Sequence, residues 1–201
     1  MKKIIEIKGL NKRFRKLKVF EDYSETISNG INLLLGDNGS GKTTLLNHIG
    51  FLDKKYKGKI IRKKEEEIID EKTFFNISGF LPQEYKLPGH VKLLDFMNFL
   101  GEIGYIEEYE KKIEELLDRF DLTVKKKVKI SELSGGMKQR VGIISVLLKE
   151  PEFILLDEPL KNVGEIERRH FLEYITEYNR KHEPLILIST NIPNEYESID
   201  C

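Results

Sequence analysis

Apolar residues recur along this chain with two different periods, and the switch between them divides it. Over Lys3 to Lys8, apolar and polar positions alternate as in a half-exposed strand. Val19 to Ile27 predicts a second strand, Asn29-Gly30 a hairpin turn, and Ile31 to Leu35 a returning apolar, central strand. Gly58 to Ile69 predicts a Lys- and Glu-rich hairpin, and Ile77 to Leu81 a short buried strand ending at Pro82-Gln83-Glu84. From about Tyr85 to Leu148 the spacing turns helical. Leu94, Phe96, Met97, Phe99 and Leu100, then Ile113, Leu116, Leu117 and Phe120, follow three- and four-residue steps with charges between them. Phe153 to Leu156 returns to strand, Glu165 to Arg180 to helix, and Leu185 to Ser189 ends in a last buried strand. Strand and helix in alternation predict an α/β domain spanning 1–201. It has a mostly parallel core sheet covered on both faces, an N-terminal antiparallel β subdomain and an α-helical subdomain inserted at about 85–148.

Charge and composition narrow the setting. The 201 residues carry 34 basic against 34 acidic side chains, so no global charge points to nucleic acid or an anionic membrane. The single cysteine, Cys201, excludes an internal disulfide framework and suits a reducing compartment. No apolar run approaches the ~18 residues of a membrane span, and the start has no signal-peptide core. The basic cluster Lys12, Arg13, Arg15, Lys16 and Lys18 is expected as a solvated loop between strands, with Phe14 tucked over the core.

Chemistry enters at Gly36-Asp37-Asn38-Gly39-Ser40-Gly41-Lys42-Thr43-Thr44, between an apolar strand and a helix start. Its glycines let backbone N–H groups converge, and the helix start adds its positive end, which together cradle phosphate. Lys42 sets a compact cation against the β- and γ-phosphates, and the Thr43 hydroxyl can hold Mg²⁺. A second element, Phe153-Ile-Leu-Leu-Asp157-Glu158-Pro159, delivers two carboxylates at a strand's C-terminal end, where α/β sheets place ligands. Asp157 is expected to bind Mg²⁺ through water, and Glu158 to orient or deprotonate an attacking water.

A third element, Leu133-Ser134-Gly135-Gly136-Met137-Lys138-Gln139-Arg140, opens a helix 23 residues before Asp157 and makes a second anion site. With these three elements in this order, the chain resembles the ATP-binding cassette ATPases, the nucleotide-binding subunits of ABC transporters, from Phe14 to about Glu197. The resemblance implies a P-loop NTPase fold. It implies that Phe14 stacks on adenine, that Gly36 to Thr44 is the Walker A loop, and that Gln83 senses Mg²⁺ and the γ-phosphate. Ser134 to Gln139 stands as the signature, and Asp157 and Glu158 as the Walker B pair. It implies further that ATP joins a head-to-tail homodimer or heterodimer, each signature facing the other subunit's ATP. It implies a separate transmembrane permease docking beside Gln83 and the helical insert, which places the chain in the cytoplasm on the inner face of the membrane.

This chain departs from the family pattern at particular positions. Ser189-Thr190-Asn191 stands where these ATPases have a switch histidine, and His182 lies nine residues upstream. Lys161-Asn162-Val163-Gly164 lacks the aspartate of the D-loop. Slowed hydrolysis is expected, because Asn donates a hydrogen bond but exchanges no proton. An ATP-gated binding module and a soluble cassette for cofactor assembly stay open as alternatives. The step of 51 positions from Gln83 to Ser134 leaves no room for the long coiled coil of chromosome-maintenance relatives. Gly79 to Glu84 and the following helix are similar to exporters of peptides, antibiotics or lipids.

Overall fold

A computed structural model describes residues 1–15, 17–161 and 163–196. Lys16, Asn162, Glu197 and Cys201 lie outside the described residues. The chain forms β1 (Lys3–Phe14), β2 (Leu17–Ser28), β3 (Gly30–Leu35), α1 (Lys42–Ile49), β4 (Lys57–Lys64), β5 (Glu67–Ile68), α2 (Glu71–Ile77) and β6 (Ser78–Leu81). Then come α3 (Leu93–Ile103), α4 (Tyr109–Arg119), α5 (Gly135–Leu147), β7 (Phe153–Asp157), α6 (Glu165–His182) and β8 (Leu185–Thr190). The strands make two four-stranded sheets: an antiparallel one ordered β2-β1-β4-β5, and a parallel one ordered β3-β8-β7-β6.

Every residue of β7 and β8 is buried, as strands covered on both faces require. Their alternate residues serve two cores. Phe153, Leu155, Leu185 and Leu187 meet α1, α2 and the inner face of the antiparallel sheet. Ile154, Leu156, Ile186 and Ile188 meet α3, α4, α5 and α6. The end of α4 is tied to α5 by Arg140, which is buried and donates from Nη1 to the Phe120 carbonyl at 2.8 Å.

Several expectations are corrected. Asn29-Gly30 does not close a hairpin, because β2 ends in one sheet while β3 crosses to the other and pairs in parallel with β8. The turn still does structural work: Asn29 Nδ2 donates to the carbonyls of Met1 at 2.9 Å and Glu183 at 2.7 Å, fastening the two sheets at that end. β3 is an edge rather than a central strand of its sheet. Lys12, Arg13 and Lys18 of the basic cluster are strand rather than loop, and Arg15 lies in the turn between. Lys12, Arg13 and Phe14 finish β1 and Lys18 lies in β2, because Arg13 pairs with Lys18 and Phe14 with Leu17. Phe14 is half exposed, not tucked over the core. Ile77 ends α2, a helix without a sequence-based expectation, which Asp70 caps by accepting from the Thr73 N–H at 2.7 Å.

Candidate functional site

The parallel register gathers the chemistry at one end of the sheet. Leu35 lies beside Thr190, and Ser189 beside Asp157, so the loop after β3, the residues after β8 and the two carboxylates after β7 leave the sheet side by side. From Leu35 the chain turns through Gly36 to Gly41, closed by a Ser40 N–H to Asp37 carbonyl bond of 3.1 Å. Gly39 and Gly41 have φ of 83° and 102°, a region that glycine enters at little cost. Gly41 also lacks space, since a Cβ would lie 2.5 Å from Val19 Cγ1 and 3.0 Å from Phe20 Cζ. β2 thus backs the turn, and the hairpin end carrying Phe14 stands a few residues away on the same strand pair. Lys12 Nζ sits 4.8 Å over the Phe14 ring.

Asn38, Gly39, Ser40 and Thr43 are exposed, Gly36 and Thr44 are half-buried, and Lys42 is buried. The Lys42 ammonium donates to the carbonyls of Gly36 at 2.6 Å and Asp37 at 3.0 Å, and so lies inside the turn, where an entering anion would meet it. No acidic residue occupies the first turn of α1, which leaves its positive end uncompensated. At the other end, buried Arg62 of β4 donates to the carbonyls of His48 at 2.5 Å and Ile49 at 2.7 Å, and its guanidinium lies 3.7 Å over the Phe51 ring. A cation there complements the helix's negative end.

Asp157 is buried. Ser189 Oγ donates to its Oδ1, while its Oδ2, also buried, has no hydrogen-bond partner. Glu158 turns out of the strand with φ of 49°, and its N–H points at Ser189 Oγ at 3.0 Å and the Ser189 carbonyl at 3.2 Å. Its Oε2 accepts from Gln83 Nε2 at 2.9 Å and pairs with Lys161 Nζ at 3.2 Å. Among the described residues no group of three or more His, Cys, Asp or Glu side chains could hold a metal. A single buried carboxylate oxygen without a partner nonetheless fits a divalent cation that takes most of its ligands from phosphate and water.

The Ser134 turn starts α5. Ser134 is exposed and its Oγ accepts from the Met137 N–H at 3.2 Å, and a Cβ at exposed Gly135 would meet nothing within 4 Å. Gly136 follows, half-buried. Gln139 faces inward, its Nε2 donating to the Pro159 carbonyl at 3.1 Å. A groove of about 670 Å³ lies between the Gln83 segment and this turn, lined by Gln83, Tyr85, Leu87, Ile130, Lys138 and Gln139 among others.

A family model described as ABC transporter matches residues 20–161. The chain belongs to the ABC transporter family. As an ABC ATP-binding domain it binds ATP, and it is 31% identical over 199 residues to the "Lipoprotein-releasing system ATP-binding protein LolD" of Leptospira interrogans, covering 94% of this chain and 83% of that one. It is also 31% identical to the "Ergothioneine transport ATP-binding protein EgtV" of Helicobacter pylori, covering 99% and 95%. A solved "Putative ABC transporter (ATP-binding protein)" from Pyrococcus furiosus superposes with a TM-score of 0.78 at 28% identity, over 94% and 92% of the two chains.

Within this ABC domain the positions that depart from the pattern can be placed. Asn191 is exposed directly after β8. His182 ends α6 stacked on Tyr178 at 4.4 Å, in a groove lined by no residue of the Gly36 to Thr44 turn. Val163 is buried and Gly164 caps α6. Two site residues escaped the sequence reading. Ser189 looked like the end of a buried strand, and its place opposite Asp157 depends on a pairing register that sequence does not state. Lys161 stands three residues after Glu158, a spacing that offered a signal in hindsight.

Proposed function

We propose that this chain is the ATP-hydrolysing subunit of an ABC transporter, driving a separate membrane permease through ATP-dependent pairing with a second ATPase subunit. The observation that carries the reading is the side-by-side emergence of the Gly36 to Thr44 turn, Asp157 and Glu158 from one end of the parallel sheet. The names of similar proteins support it, since they include ATP-binding proteins of lipoprotein release, ergothioneine transport and methionine import. No helix among the described residues is long and apolar enough to cross a membrane.

In this reading the backbone N–H groups of the Gly36 to Thr44 turn and the Lys42 ammonium bind the phosphates, and Phe14 offers its exposed ring to the adenine. Lys42 leaves the carbonyls of Gly36 and Asp37 for the triphosphate, exchanging neutral acceptors for charged ones. Mg²⁺ would be held by Thr43, Gln83 and Asp157, and supplies neutralisation of phosphate charge when bound. Glu158 orients the attacking water and takes its proton, and its backbone is fixed for that role by Ser189. Gln83 holds the glutamate in place through its 2.9 Å bond from Nε2 to Oε2. Ser134, Gly135, Gly136 and Gln139 belong to the surface offered to the second subunit's triphosphate.

Asn191 can donate to a γ-phosphate oxygen but cannot carry charge, so hydrolysis runs slowly. One lost transition-state contact is worth about 10²- to 10³-fold in rate. Phosphate release from Mg²⁺-ATP tests both points. Asn191→His raises the rate, and Glu158→Gln removes it. Equal rates in wild type and Glu158→Gln would end the proposed role of the glutamate.

A further inference from the structure

Tyr85 has no part in the chemistry above, yet it stands where three segments of the site meet. Its hydroxyl lies 3.1 Å from the Lys138 carbonyl and 3.2 Å from Gln139 Oε1, both on α5. Its ring rests on Gly142, where a Cβ would lie 2.3 Å from the hydroxyl and 2.5 Å from Cζ, so only glycine admits it. Gln139 passes the connection on, since its Nε2 donates to the carbonyl of Pro159, the residue after Glu158. Glu158 in turn accepts from Gln83, two residues before Tyr85. The contacts close a ring: Gln83, Glu158, Pro159, Gln139, Tyr85 and back along the chain to Gln83. Burial pushes the Tyr85 pKa up to about 12, so the hydroxyl keeps its proton at any working pH.

We infer that Tyr85 is a positioning residue that locks the Gln83 segment onto the helix carrying the Ser134 turn, so that the glutamate's amide partner and the second anion turn move as one body. The effect on turnover rests on the ATPase reading, whereas the lock itself does not. A ring of this kind conveys a displacement at either end without slack, because each member is held by contacts to two others. Removing one hydroxyl opens the ring but leaves the ring-on-glycine packing in place.

Two measurements on the full chain separate these layers. Hydrogen exchange of the backbone amides at 83–87 is compared in wild type, Tyr85→Phe and Gly142→Ala. The expected result is about tenfold faster exchange in Tyr85→Phe, and at least that in Gly142→Ala, whose new methyl expels the ring. The double variant should be no worse than Gly142→Ala alone. Steady-state turnover of Mg²⁺-ATP should show kcat falling about tenfold in Tyr85→Phe at unchanged KM, with the melting temperature lower by only about 3–6 °C, the amount that tenfold faster local opening itself implies. Unchanged exchange at 83–87 in both variants would overturn the lock. A rise in KM at unchanged kcat in Tyr85→Phe would overturn it too, reducing Tyr85 to plain packing. A wild-type chain that turns over no ATP would refute the ATPase reading, while the exchange data would still decide the lock.

Discussion

Ser189→Ala probes the organisation of the two carboxylates without touching either. The serine hydroxyl is fully buried, donates to Asp157 Oδ1 and accepts from the Glu158 N–H at 3.0 Å. Removing it strips the buried Asp157 carboxylate of its hydrogen-bond donor while its other oxygen already lacks one. A hydrogen bond to a charged acceptor contributes about 1.5–3 kcal/mol. The Glu158 N–H retains the Ser189 carbonyl at 3.2 Å, so the second loss is small. A total near ~2–3 kcal/mol corresponds to a drop of about 4–12 °C in melting temperature for a chain of this size. The chain has no tryptophan, so far-UV circular dichroism in urea and on heating is the suitable readout. In an Asp157→Asn background the same substitution should cost only ~1 kcal/mol, because the acceptor is then neutral. A Ser189→Ala protein melting within about 1 °C of wild type, or an equal loss in both backgrounds, would refute the reasoning.

Other expectations test the surroundings. Gly41→Ala forces a side chain to φ of 102° and sets a methyl 2.5 Å from Val19, and should cost about 2–4 kcal/mol in urea unfolding and weaken nucleotide binding. Arg62→Met removes the guanidinium donor from the carbonyls of Ile49 and His48, the latter keeping the Phe51 N–H at 3.4 Å, and should lower stability by about 2 kcal/mol by the same measurement. His48 is fully buried, and burial holds its pKa below the ordinary 6.5, helped by Lys12 and Arg62 and opposed by its Asp53 carbonyl bond and the Asp53 charge. Below pH 6.5 the unfolded chain takes up a proton that the folded chain refuses, so stability present above that pH is lost on acidification. Wild type should therefore lose more melting temperature between pH 7 and 5 than His48→Asn, whose amide can still reach the Asp53 carbonyl.

Much of this architecture was legible because local signals and tertiary demands coincide. The turn at Gly36 to Thr44 needs glycines where φ is positive or space is missing, and the sequence puts them there. The buried runs of β7 and β8 announce themselves because both faces are covered. The failures share one cause, which is that pairing partners are set at long range. Asn29-Gly30 carries a strong hairpin signal, yet β3 finds more to bury beside β8 than beside β2. Arg13 and Lys18 look like loop residues because they are charged, but the strand pair extends past the core into solvent, where charge is tolerated. The same limit hides Ser189, Arg62 and Tyr85, whose roles lie in partners 31, 14 and 54 residues away in sequence.

The central claim is that these motifs form half of a shared ATP site, completed by the Ser134 turn of a second subunit. Glu158→Gln, which keeps the shape but removes the base, should trap the closed state. Sedimentation of this variant with Mg²⁺-ATP should show a particle of twice the 23.5 kDa chain mass, dissociating when ATP is replaced by ADP or when Ser134 is changed to Arg. A nucleotide-bound species that stays at 23.5 kDa under all these conditions, alone and mixed with a second ATPase subunit, would contradict the account.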